Sequence, residues 1–162
     1  MKIRSLTFLA TLFVSHTTLA NLPTLNNITD PCNNIEGKWS GGGDGQCDQV
    51  PQIACHFEGY IIVKKTGPGT FTVTDNMIDK KSGSIVCVPH IILANTKGTC
   101  SQGILHIDGE TVNKDGSKTG TKMILDGSLQ SDTSATLHGS MDPIGGTNYT
   151  AHFKEFKLTK QQ

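Results

Sequence analysis

Beyond residue 35 the chain never holds a helical period; turn residues cut it into eight short β-rich runs. Alternation of apolar with polar or threonine side chains over such runs marks strands with one buried face. The runs are 36–41, 55–65, 70–77, 84–95, 97–107, 119–129, 133–141 and 148–159. Phe71 and Val73 alternate with Thr70, Thr72 and Thr74, and Thr66-Gly67-Pro68-Gly69 is a strong turn. Pro89 bends the fourth run, because proline cannot donate to a ladder. Gly103 marks a bend in the fifth. The connections are read as 42–54, a polar loop 108–118 and a loop 142–146. Eight sequential strands with mostly short connections predict an all-β, single eight-stranded antiparallel up-and-down barrel, since closure removes exposed edges. A Greek-key β-sandwich is the alternative that fits the same string.

The segment before this pattern has a different character. Lys2 and Arg4 precede the apolar run 6–14, and small or polar residues lead to Thr18-Leu19-Ala20. That order is the pattern of a cleaved secretory signal peptide, and the run is shorter than the roughly 20 residues a bilayer span needs. The expected organisation is a signal peptide over 1–20, an irregular lead-in over 21–35 and a β-barrel domain over 36–160. Cleavage after Ala20 removes two bases and no acid, turning a neutral chain into one of net charge −2. A general nucleic-acid binder would carry a basic face. No later run is long and apolar enough for a membrane span. The expected product is soluble and secreted, extracellular or periplasmic if bacterial.

Five cysteines follow the proposed cut: Cys32, Cys47, Cys55, Cys87 and Cys100. An oxidising compartment favours pairing, but five cysteines with one left over allow 15 pairings and spacing does not choose among them. The pairs expected here are Cys47–Cys55, closing a short loop, and Cys87–Cys100, tying neighbouring strands, with Cys32 left over. No C-x-x-C pair or zinc-type spacing is present, and the sequence motivates no cofactor or metal.

The stretch Cys32-Asn33-Asn34-Ile35-Glu36-Gly37-Lys38-Trp39 resembles the first strand of the calycin barrels. Lipocalins carry Gly-x-Trp there, and avidins open with a cysteine followed by Gly-Lys-Trp. The resemblance implies a barrel in which Trp39 closes one end as a structural plug.

Groups that carry chemistry are sparse. Cys55 and His56 are adjacent, and neighbours along a strand face opposite sides. There is no Gly-x-Ser-x-Gly elbow. The glycine-rich run 40–45 lacks the Lys-Ser/Thr of a phosphate loop and reads as a mobile loop. Asp108 to Gly120 gives only part of a calcium loop. Asn27-Ile28-Thr29 and Asn148-Tyr149-Thr150 match the glycosylation sequon. A loop clipped by cysteines would present Val50, Pro51, Gln52 and Ile53 with little entropy left to lose on binding. Asp108, Glu110 and Lys114 would stand in a polar loop at a barrel end. These features point to a secreted, disulfide-stabilised, non-catalytic binding module for a small molecule or an extracellular protein. The binding surface would be the barrel mouth or the end loops, including 41–54 and 108–118. Two alternatives stand beside it: a small secreted hydrolase built from His106, His138 or His152 with aspartates, and an inhibitor of a secreted enzyme acting through the Cys47–Cys55 loop.

Overall fold

The computed structural model describes residues 30–47, 54–144 and 151–162; the proposed signal peptide and both sequons' asparagines lie outside them. Eight antiparallel strands run in chain order: β1 Gly37–Cys47, β2 Ala54–Gly67, β3 Thr70–Gly83, β4 His90–Ser101, β5 Ile104–Val112, β6 Lys118–Ser131, β7 Ser134–Pro143 and β8 Ala151–Lys160. Each pairs with its sequence neighbour, and β1 pairs with β8 to close the barrel. The up-and-down barrel stands, and the sandwich does not.

Alternate side chains fill the interior. Trp39, Phe57, Ile61, Leu93, Ile107, Leu125, Leu137 and Phe156 are all buried in one cluster. Phe153 meets Phe57 and Phe156 edge-on, with ring centroids 5.6 and 6.4 Å apart. Such pairs add to the burial of the rings themselves.

Besides a longer β3 and β5, three differences from the sequence reading stand out. The glycine run is strand, not loop: β1 continues through it to Cys47. A Cβ at Gly41 would stand 1.8 Å from the Lys157 carbonyl oxygen, and one at Gly43 would stand 2.0 Å from that of Glu155. Bare backbone lets β8 lie against β1 closely enough to close the sheet. Second, 84–89 is a loop and β4 starts after Pro89. Third, the run 97–107 is two strands joined by a tight turn, with positive φ at Gln102 (51°) and Gly103 (79°). Positive φ at both central residues matches the right-handed twist of a two-residue hairpin.

One end of the barrel is plugged. The 3-10 helix Pro31–Asn34 leads into Ile35 and Trp39, which are buried there. Trp39 is 2% exposed, and its Nε1 donates to the Ile35 carbonyl at 2.8 Å. Cys32 is bonded to Cys100 at the end of β4, and the Gly103 amide lies 3.3 Å from the Cys32 sulfur. Asn34 reaches Asp132 in the β6–β7 turn at 2.8 Å.

Candidate functional site

An up-and-down barrel puts alternate connections at opposite ends. The plugged end has the tight β2–β3, β4–β5 and β6–β7 turns. The other end, here called the open rim, carries the connections 84–89 and 113–117; β1, β2, β7 and β8 also have ends there, and residues 48–53 and 145–150 between them lie outside the described residues. A binding function has three places to reside: the interior, the outer wall or this rim.

The interior is packed. Spaces of about 20 Å³ remain around Ile61, Leu93 and Phe156, beside Trp39 and Leu105, and beneath Val88 and Met141. Each has room for about one water, which needs roughly 10–15 Å³ on this measure. Drug-sized ligands sit in clefts of about 300–1,000 Å³, so no described part of the interior is built to take one.

The rim is organised by a disulfide that the spacing did not reveal. Cys55 at the start of β2 is bonded to Cys87 in the β3–β4 loop, and Cys100 to Cys32. The expected pairs Cys47–Cys55 and Cys87–Cys100 are therefore replaced. Cys32, expected to be left over, is the anchor of the plug; Cys47 is in neither bridge. The reason is three-dimensional: β2 and the loop after β3 meet at one end, while the plug crosses the β4–β5 turn at the other.

Within the loop, Cys87 and Val88 pack onto the core, and Ser84 to Cys87 form a turn closed by the Cys87 amide on the Ser84 carbonyl at 3.3 Å. At its corner Ile85 is 93% exposed and Val86 51%. The Lys80 ammonium donates to the Ser84 carbonyl at 2.9 Å and to the Cys87 carbonyl at 3.4 Å. The Lys80 amide donates to the Pro89 carbonyl at 2.9 Å. Ile144, 58% exposed, stands on the β7–β8 connection at the same end.

The residues singled out from sequence fall in different places. Val50, Pro51, Gln52 and Ile53 lie outside the described residues. Asp108 and Glu110 are on β5, which runs to Val112, so the expected loop 108–118 shrinks to 113–117. Both point outward and pair with β6: Asp108 with Lys122 and Glu110 with Lys118, each at 2.8 Å. The Lys118 contact, with a smaller contribution from Asn95, holds the Glu110 carboxyl below its ordinary pKa. Lys114 alone of the three stands on a rim loop, exposed. The structure does not bring them together as a site.

The outer wall holds the histidines. His56 Nδ1 lies 2.7 Å from Asp44 and its Nε2 3.5 Å from Glu58. The Asp44 contact above all raises the His56 pKa above its usual value. His56 and Glu58 line an open depression of about 650 Å³ over β1–β3, together with Gly42, Tyr60, Met77, Asp79 and Lys81. On the far wall His106 Nδ1 lies 2.7 Å from Asp126, which stands in register between His106 and His138. At His56 the neighbouring carboxylate favours the charged ring. Sequence reasoning missed the Asp44–His56 pair because Asp44 was assigned to a loop. It missed the Ile85–Val86 corner because those residues read as part of a strand, although Pro89 marked the break.

The chain matches no protein-family model and no curated protein. Its fold does match solved structures. EF1p2_mFAP2b, solved bound to DFHBI, is similar with a TM-score of 0.57 and 13% identity, over 82% of this chain and 98% of that one. The redesigned β-barrel mFAP1, also bound to DFHBI, gives 0.55 and 12%, over 82% and 100%. A fluorescence-activating β-barrel designed de novo gives 0.52 and 9%, over 83% and 100%. At such identities the likeness is one of fold.

Proposed function

We propose that the chain is an exported, non-catalytic binding protein that engages a protein partner with its open rim. The observation that carries this reading is the filled interior: with spaces near 20 Å³, recognition falls to the outside. The rim gathers the long connections and a disulfide-held loop with exposed aliphatic side chains. Protein interfaces combine such apolar centres with polar surroundings. Two disulfides support an oxidising destination, in keeping with the signal-like pattern at 1–20. The small molecule DFHBI bound by two of the similar barrels supports a ligand role for such a fold, yet shared fold does not carry function.

The test is a pair of measurements on the oxidised protein. Titration with DFHBI and with a fluorescent fatty acid should give no saturable signal. Photo-crosslinkers placed at Lys114 on the rim and at Lys154 on the β8 wall should give a protein adduct from the rim only. Saturable binding of either small molecule, or adducts from the wall alone, would remove the reading.

A further inference from the structure

We propose that the β3–β4 seam is the line along which the barrel wall opens and that both disulfides act as staples across it, so that reduction turns a closed wall into one that parts there. This device works whether or not the rim binds a protein.

The seam is built unlike the others. Its ladder joins Thr70 and Phe71 to Thr99 and Gly98, and Ile78 and Asp79 to Ile91 and His90. Between these two clasps, over 72–77 and 92–97, the ladder is interrupted. No other described seam has a gap of that length on both strands. Facing bulges are the cause. Thr74 is an extra residue on β3 relative to β2, and β4 carries an extra residue at 95–96 relative to β5, where Asn95 has φ 52°. A bulge leaves its residue out of the ladder and bends the strand. Two at the same level leave the backbones to be joined through side chains. The links across the gap are Asn76 on Leu93, Thr96 on the Val73 amide, and the Thr72 hydroxyl on the Thr96 carbonyl at 3.1 Å. Local opening follows the least stabilised contacts, and here the backbone ladder contributes only at the two clasps.

Cut along this seam, the sheet would run β4-β5-β6-β7-β8-β1-β2-β3. Both bridges rejoin the cut. Cys87, just before β4, is bonded to Cys55 on β2; Cys100, near the end of β4, is bonded to Cys32 in the 3-10 helix that leads into β1. β4 is thus tied at both ends to the β1–β2 side, and with both ties in place only its middle is free to part from β3. The two ends are not equivalent. At the rim the loop 84–89 already joins β3 to β4 through the chain. At the plugged end the Thr70–Phe71 clasp is extended by the Cys100 amide on the Gly69 carbonyl at 2.9 Å, and the covalent tie is Cys32–Cys100. The seam therefore parts from the plugged end once that bridge is reduced. Reduction takes two electrons and two protons per bridge and gives two thiols; a dithiol supplies them and closes to its own disulfide.

The experiment is amide hydrogen exchange of the full chain, read on segments 70–79 and 91–99 for the seam and 121–129 and 135–141 for the β6–β7 wall. It compares the oxidised protein, the protein reduced with dithiothreitol, and two serine variants that each lack one bridge. In the oxidised parent the amides of 72–77 and 92–97 should already exchange about tenfold faster than those of the β6–β7 wall. Cys32→Ser/Cys100→Ser should speed exchange at the seam by a further factor of about ten and at the β6–β7 wall by less than about three. Cys55→Ser/Cys87→Ser should give the same pattern with a smaller factor, and full reduction the largest. If a variant or the reduced chain unfolds outright, the oxidised parent still decides: equal or slower exchange at the seam overturns the proposal. Equal acceleration of both walls on losing one bridge overturns it as well. So does acceleration confined to 37–40 and 131–134, since Cys32–Cys100 would then secure the plug over Trp39 and not the seam.

Discussion

The side-chain amide of Asn76 pairs with the backbone of Leu93 as a peptide group would: its Nδ2 donates to the Leu93 carbonyl at 2.9 Å, and its Oδ1 accepts from the Leu93 amide at 2.7 Å. The β3–β4 ladder pairs residues 70–71 with 98–99 and 78–79 with 90–91. Between these patches, side chains stitch the seam. Thr96 does so at the other side of the gap, its Oγ1 accepting from the Val73 amide at 2.6 Å. Asn76 and Thr96 are both buried, so neither bond can be replaced easily by water.

Asn76→Ala should therefore destabilise the barrel by about 2–4 kcal/mol, since two buried backbone groups lose their partners. Urea unfolding should show a lower midpoint with the slope unchanged. Asn76→Asp adds a sign. A buried carboxyl prefers to be protonated, and only the protonated form can donate to the Leu93 carbonyl. Relative to the parent, this variant should be more stable near pH 4 than near pH 7. A deficit that shrinks as pH rises would contradict the pairing.

The number of strands was legible in the sequence because alternation survives in most of the runs that face the core. Their boundaries were not, for reasons that differ by place. In β1, glycines at the inward positions Gly41, Gly43 and Gly45 erase the alternation, and strand propensity counts against them. The β4–β5 turn uses Gln102-Gly103, outside the Asn-Gly and Asp-Gly signals, so two strands looked like one. The disulfides join residues 68 and 32 apart in sequence. Only the plug, and the meeting of β2 with the β3–β4 loop, decide which sulfurs are neighbours. Of the candidate rim, the sequence reading placed Lys114 in a polar end loop and Ile85 within a strand, whereas Ile85 lies on the loop 84–89.

The two bridges should differ in what they contribute. In the chain-entropy picture, a closed loop set by a separation of 68 restrains the unfolded chain by about 4.4 kcal/mol, and one set by 32 by about 3.7. Removing the Cys32–Cys100 pair also releases the plug over Trp39. Cys32→Ser/Cys100→Ser should thus lower Tm more than Cys55→Ser/Cys87→Ser. A non-reducing peptide map that joins Cys47 to Cys55 would refute the arrangement before any melting curve is recorded.

His56 should titrate above 6.5, chiefly because Asp44 accepts its hydrogen bond. The sign follows from linkage: a group whose folded pKa is raised contributes stability that is fully present below its unfolded pKa and is lost as pH rises through the folded one. With both partners exposed the contribution is small and screened by salt. Two-dimensional NMR of the ring protons is the appropriate reading. Asp44→Asn should bring the His56 midpoint down. If the midpoint stays where it was, another group holds the proton.

Glycines of two kinds should respond unequally to the same change. Gly116, in the β5–β6 loop, has φ +82° and nothing within 4 Å of a Cβ. Gly116→Ala should cost about 1–2 kcal/mol, the backbone term for a left-handed residue. At Gly43 the objection is space. A methyl group would sit 2.0 Å from the Glu155 carbonyl oxygen and 2.8 Å from the Phe156 Cα, both backbone atoms of β8. No rotamer change can relieve that contact; β1 and β8 would have to part at the seam that closes the barrel. Gly43→Ala should cost more than about 4 kcal/mol, in the range reserved for steric failure of a core, or prevent folding altogether. Thermal unfolding followed by circular dichroism compares the two directly. Equal losses for both variants would mean that β8 does not lie against β1 as closely as the closed ladder requires.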